Sequence, residues 1–239
     1  MLFVALALSL SGCSAVAVQQ VSPARQSPAP ATSPQPQPSS SPSAGEAIDR
    51  ATSEPYKGEL SIFEYPDRDR KLGVERVMDV LGIKEGSSVA DIGAGSGWFT
   101  VRAARRAGAS GTVYAVEINQ DYLKYIADRA AKEKLTNIHT VLGTEDDPAL
   151  PPKSVDAALI LKTYHEIAQP IRVLTRLRQS LREGAKVGVI DRDGNGEDHG
   201  IKRETVVEEA RRAGFTLVET YDFVKPDGMD YFLVFQVRK

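Results

Sequence analysis

The 239-residue chain carries 30 Lys and Arg against 32 Asp and Glu, a formal charge of −2 at pH 7. The two signs are interspersed, so no basic surface for nucleic acid is indicated. Its single cysteine excludes an intramolecular disulfide framework, and its three separated histidines reproduce no metal-ligand spacing, so no metal site is expected.

The chain opens on the apolar run MLFVALALSLSGC, too short for an ordinary transmembrane helix of roughly 20 residues. It ends in Leu10-Ser11-Gly12-Cys13, which resembles the lipobox of bacterial lipoproteins, although no Lys or Arg precedes the run. The resemblance implies that residues 1–13 are a signal, that a lipidated Cys13 is the sole membrane attachment, and that the protein sits in the cell envelope facing outside the cytoplasm. A misassigned start would leave it cytoplasmic. Residues 14–55 are dense in Pro, Ser, Ala and Gln and nearly devoid of large apolar side chains. Such a segment cannot bury enough surface to offset its ordering entropy, which predicts a disordered tether in front of a folded domain over 56–239.

In the domain, Val74, Val77, Met78 and Leu81 recur at i, i+3, i+4, i+7 and predict a one-sided helix. SSVADIG then reads as a buried strand, and WFTVRAARRAG as a helix with Arg102, Arg105 and Arg106 turned outward. GTVYAVEIN is a second strand, and QDYLKYIADRAAKEK a helix burying Leu123, Ile126, Ala127 and Ala130. IHTVL and VDAALIL are strands three and four, followed by a helix carrying Ile171, Leu174, Leu177 and Leu181. KVGVID is strand five, and a helix around Val206, Val207 and Ala210 follows. Five short strands, apolar on both faces and alternating with helices, predict a doubly wound α/β sheet, mostly parallel and seven-stranded, with helices on both faces. FTLVETYDF and DYFLVFQVR, joined by VKPDGM, close it as a C-terminal antiparallel hairpin.

Ligands of open α/β sheets bind beyond the carboxyl ends of the strands. That edge selects Asp91 to Gly97, Glu117, Gly143 to Asp147, Lys162 to Glu166 and Asp191. Gly93, Gly95 and Gly97 follow strand one and open a helix, leaving the main chain bare for close approach. Their spacing is G-x-G-x-G, one residue shorter at the third glycine than the G-x-G-x-x-G of dinucleotide binders. Glu117, ending strand two, can accept both hydroxyls of a ribose, with Asn119 behind it.

These residues, in VADIGAGSGWFT, VYAVEIN and VLGTEDDPALPPKSVDAALI, together with the closing hairpin, resemble the class I S-adenosylmethionine-dependent methyltransferases over roughly residues 70–239. The resemblance implies that Asp91, Gly93, Ala94, Gly95 and Gly97 line the methionine and ribose of S-adenosyl-L-methionine, and that Glu117 holds the ribose hydroxyls. Ile118, Thr144, Glu145, Asp146 and Lys162 complete the cofactor site, with either Glu145 or Asp146 beside the exocyclic amine of adenine. An acid-lined edge also suits a phosphate-free, cationic sulfonium better than a pyrophosphate.

LKTYHEI, past strand four, lies where that family shapes its acceptor pocket, so Tyr164 and His165 are candidates to orient or deprotonate the nucleophile, or else pack over the cofactor. His139 and His199 read as structural, although His199 lies in the GNGEDHG loop, which could cover the site. FEYPDRDR (63–70) reads as a strap with surface ion pairs, with a substrate role for Tyr65, Asp67 and Arg68 as the other possibility. The expected activity is methyl transfer to a small or medium-sized acceptor, by a monomer as the default. An NAD(P)-dependent oxidoreductase and a catalytically degenerate envelope lipoprotein are the alternatives.

Overall fold

The computed structural model describes residues 50–53, 56–195 and 199–238. The lipobox and, apart from residues 50–53, the tether lie outside the described residues. None of the described helices is long and apolar enough to cross a membrane.

Helices α1 (Arg68–Leu72) and α2 (Val74–Leu81) precede β1 (Ser88–Ile92). Then come α3 (Trp98–Ala107), β2 (Thr112–Glu117), α4 (Gln120–Lys132), β3 (Ile138–Leu142), β4 (Val155–Leu161), α5 (Pro170–Ser180) and β5 (Leu181–Asp191). Helix α6 (Arg203–Arg212), β6 (Phe215–Tyr221) and β7 (Tyr231–Val237) end the chain. Among the described residues the strands form one seven-stranded sheet in the order β3-β2-β1-β4-β5-β7-β6. β1 to β5 run parallel, while β7 enters antiparallel between β5 and β6. The expected doubly wound sheet with a terminal hairpin is therefore the observed one.

Period-two alternation divides the core between the two sheet faces. Ala90, Ile92, Ala158, Ile160, Leu233 and Phe235 face one buried cluster, packed by Ile171, Leu174 and Leu177 of α5 and Val206 and Ala210 of α6. Val89, Ala157, Leu159, Phe232 and Val234 face the other, packed by Val77, Met78 and Leu81 of α2 and Phe99, Ala103 and Ala107 of α3. Both faces of the central strands are dry, as parallel strands require.

Three expectations are corrected. β3 is an edge strand, so His139, Thr140 and Leu142 are exposed and the strand is not apolar on both faces. Ala127 of α4 faces solvent, because Ile126 and Ala130 carry that helix's buried seam. Leu181 is buried as the first residue of β5, α5 having ended at Ser180.

Strand order reverses between β1 and β4, which places their carboxyl ends on either side of the crevice where such sheets bind ligands. The loops that leave these two ends touch: Thr163 Oγ1 donates to the Gly93 carbonyl at 3.2 Å.

Candidate functional site

The turn after β1 is tied to β2, with the Gly93 and Ala94 amides donating to Val116 O at 2.9 and 3.1 Å. Gly93 has φ 69°, and a Cβ there would lie 2.2 Å from Thr163 Cγ2. Gly95 differs, since its φ of 57° again favours glycine but a Cβ would meet nothing within 4 Å. The backbone is thus pressed against β4's loop at Gly93 and open at Gly95, the point where a ligand can approach it.

Two buried acids flank this opening. Asp91 accepts a hydrogen bond from Thr100 Oγ1 at 2.6 Å, and its burial pushes the carboxyl up to about 7. Glu117 accepts from the Gly95 amide at 2.8 Å through Oε1 and from the Ile118 amide at 3.1 Å through Oε2. Burial raises its pKa too, against the lowering effect of those amides. Ionising either carboxyl carries a desolvation cost that a cationic or hydroxyl-bearing ligand would offset.

The rim beyond Glu117 is apolar and then acidic. Ile118 and Leu142, at the ends of β2 and β3, are 54% and 47% exposed. The Asn119 side chain caps α4 by accepting from the Asp121 amide, while its main chain helps hold the Glu117 carboxylate. Thr144 Oγ1 donates to Asp146 Oδ1 at 2.7 Å, and Asp146 Oδ2 pairs with Arg172 at 2.5 Å. Glu145 is exposed on the same loop. Lys162 (φ 54°) is exposed, its amide bonded to Ile190 O at 2.7 Å.

The β4–β5 edge differs from expectation. Tyr164 is fully buried, and its hydroxyl donates to Glu209 Oε2 at 2.9 Å beneath the sheet. It is a core residue, with no face toward the crevice from which to act on an acceptor. Arg50 completes that cluster, donating to Glu209 Oε1 at 2.7 Å and to the Tyr164 carbonyl at 3.0 Å. His165 lies on the short 3-10 turn after β4, its ring Nδ1 2.9 Å from Oδ1 of the buried Asp191. Adjacent pairing of β4 with β5 brings those two residues together.

His199 is returned toward this edge by two contacts of the β5–α6 loop, an Asn195–Ile201 bridge and the Ile201 amide bonded to Arg192 O at 2.9 Å. Its ring centroid lies 6.0 Å from that of His165, and its Nδ1 is 3.3 Å from Glu166 Oε1. The structure therefore brings His199, 33 residues beyond Glu166 in the sequence, to the adjacent His165 and Glu166.

The strap is anchored on the other side. Tyr65 donates to Asp227, while Arg68 stacks 4.1 Å over the Trp98 ring and donates to Phe63 O at 2.6 Å. Asp67 is exposed and pairs with Arg70. These contacts give the strap its packing role, while Tyr65, Asp67 and Arg68 also line a hollow beside Trp98 and Arg102. The functional neighbours that sequence reading missed are Thr100 and Arg50, while Glu166 had been selected within the stretch after strand four but given no role. Asp191 had been selected by its place at a strand end but given no role.

This arrangement has known counterparts. Residues 89–184 match the family model described as a methyltransferase domain. A solved S-adenosylmethionine-dependent methyltransferase from Aquifex aeolicus superposes with a TM-score of 0.68 at 22% identity, over 74% of this chain and 96% of that one. The fold is the Rossmann-like methyltransferase fold. Among curated relatives, nocamycin O-methyltransferase of Saccharothrix syringae is 28% identical over 48% of this chain and 41% of its own length. The 2-phytyl-1,4-naphtoquinone methyltransferase of Trichormus variabilis is 30% identical over 49% and 52%. The chain thus spans about half the length of these methyltransferases.

Proposed function

We propose that the protein binds S-adenosyl-L-methionine at the β1–β2 edge and transfers its methyl group to a small or medium-sized acceptor. The observation that carries this reading is the pair of buried acids, Asp91 and Glu117, on either side of a turn left open at Gly95. Glu117, fixed by two amides, is placed to accept the ribose hydroxyls, and Asp91 to face the cationic methionine end. Ile118 and Leu142 offer an apolar face to adenine, with Glu145 or Asp146 beside its amine. Thr144 lies on the same rim and Lys162 on the loop after β4, while Ala94 and Gly97 are buried against Ile126 and hold the turn in place.

Methyl transfer is an in-line displacement in which the acceptor atom, the methyl carbon and the sulfur must align, so positioning supplies most of what the protein contributes. The acceptor enters from the β4–β5 edge, where His165 is held by Asp191 and can orient it or take its proton. Calorimetric titration of the full chain is expected to show micromolar binding of S-adenosyl-L-methionine and of its demethylated product. Tighter binding of NADH would overturn the reading in favour of an oxidoreductase. We further propose a lipid anchor at Cys13, with fatty-acid labelling expected in the wild type and absent in Cys13→Ser; equal labelling of the two would remove it.

A further inference from the structure

The β4–β5 edge carries an arrangement that methyl transfer alone does not require. His165 Nδ1 faces the buried Asp191, which holds the imidazole with its proton on Nδ1 and turns the Nε2 lone pair outward. Nε2 then lies 3.5 Å from Glu166 Oε1, and the same oxygen lies 3.3 Å from His199 Nδ1. Glu166 is oriented in turn, because its other oxygen accepts from the Ser53 amide at 2.7 Å. Three electron-pair donors from separate side chains thus converge, all within 4.8 Å of one another.

Lone pairs so gathered repel one another unless a proton or a cation lies among them; His199 Nδ1 can donate to Oε1 at 3.3 Å, but His165, with its proton on Nδ1, turns a bare Nε2 toward the same oxygen. A proton shared between Nε2 and Oε1 fits poorly, since charge-assisted N–H···O bonds run at about 2.7–2.9 Å. A metal ion fits better. Bonds of about 2.0–2.1 Å at tetrahedral angles set neighbouring ligand atoms about 3.4 Å apart, the spacing found on both sides of Oε1. The remaining approach, between the two imidazoles, is within reach of His199, whose side chain is 64% exposed.

We propose that His165, Glu166 and His199 bind a divalent transition-metal ion of the zinc class, with Asp191 as the positioning residue behind His165. Two imidazoles and one carboxylate suit zinc and its neighbours better than calcium or magnesium, which prefer all-oxygen shells. Three protein ligands leave a coordination position open, as in catalytic sites. In the methyl-transfer reading, on which this last point rests, that position would receive an oxygen or nitrogen atom of the acceptor, and the ion, not His165 as base, would orient it and ease loss of its proton.

The test uses the full chain, stripped with a chelator and then titrated with Zn²⁺ by calorimetry and with Co²⁺ while its visible spectrum is recorded. Uptake of one ion per chain with the absorption of four-coordinate cobalt is expected. His199→Ala and Glu166→Gln should each weaken Zn²⁺ binding at least tenfold, and both should melt like the metal-free wild type, since neither residue is in the core. Asp191→Asn should weaken it about 10- to 100-fold and alter the cobalt spectrum. Absence of uptake, or wild-type affinity in both His199→Ala and Glu166→Gln, overturns the site. Titration of the same samples with S-adenosyl-L-methionine separates the two claims, since metal uptake without cofactor binding overturns the methyltransferase reading alone.

Discussion

The two edges that meet across the crevice are built in opposite ways. At the β1–β2 edge, the ligand groups are main chain plus two acids, Asp91 and Glu117, each sitting at the end of its own strand and held by a neighbour in the same two strand-helix units. At the β4–β5 edge they are side chains drawn from positions 165, 166, 191 and 199, held against one another and against the Ser53 amide by tertiary contacts. The first edge is a local device that any sequence of the right spacing can make. The second exists only once the sheet has formed, which frees it to differ between proteins that share the fold.

The largest effect expected from breaking this contrast concerns Arg50, which pins the chain before the domain onto the second edge. Its ion pair with Glu209 is mostly buried, 15% and 4% exposed, and loss of one partner from such a pair costs about 3 kcal/mol. Arg50→Ala should lower unfolding stability by that order in a denaturant titration, while leaving cofactor affinity nearly unchanged. A loss below about 0.5 kcal/mol would show that the segment only rests on the surface.

On the first edge, Glu117→Ala should weaken S-adenosyl-L-methionine binding at least tenfold, about 1.4 kcal/mol, and leave Zn²⁺ uptake intact. Equal loss of both ligands would mean that the edges are not independent. The pH dependence comes next. Asp91 titrates near 7 in the folded protein against 3.8 as the reference, so the ligand-free protein holds the extra proton between those values. This group's contribution to stability is therefore full below about pH 4 and is lost as pH rises toward 7. Cofactor binding has the opposite sign, because the sulfonium favours the ionised carboxylate. Affinity should rise by up to about tenfold from pH 6 to pH 8, and less for the uncharged thioether product. A flat profile would remove Asp91 from the cofactor's surroundings.

The smallest effect is at Thr100. Thr100→Val removes a donor that favours the ionised Asp91, costing about 1 kcal/mol of stability and moving the midpoint of the binding profile above pH 7. An unmoved midpoint would mean that Thr100 packs without tuning the acid.

The same contrast explains what could be read from the sequence. Asp91, the three glycines and Glu117 were legible because each sits at a fixed offset from a strand that announces itself by composition. The final hairpin was legible for the same reason, as was the sheet they belong to. Tyr164 was misplaced because a residue on a short turn after β4 can point to either side, and only Glu209, 45 residues on, decides which. His165 and His199 were set apart as separated histidines, since nothing in 34 residues of spacing shows that the β5–α6 loop folds back over β4's end. Arg50 carried no signal at all, its partner lying 159 residues away. β3 and Ala127 were read as buried because composition does not reveal which strand will be the edge.

The central claim is that a nucleoside with a cationic methionine tail lies on the β1–β2 edge. A crystal structure of the full chain with the demethylated cofactor product tests it most directly. The account predicts the ribose hydroxyls about 2.7 Å from the Glu117 carboxylate, the main chain at Gly95 against the ligand, and adenine over Ile118. A nucleoside bound elsewhere, or one whose ribose makes no contact with Glu117, would contradict it.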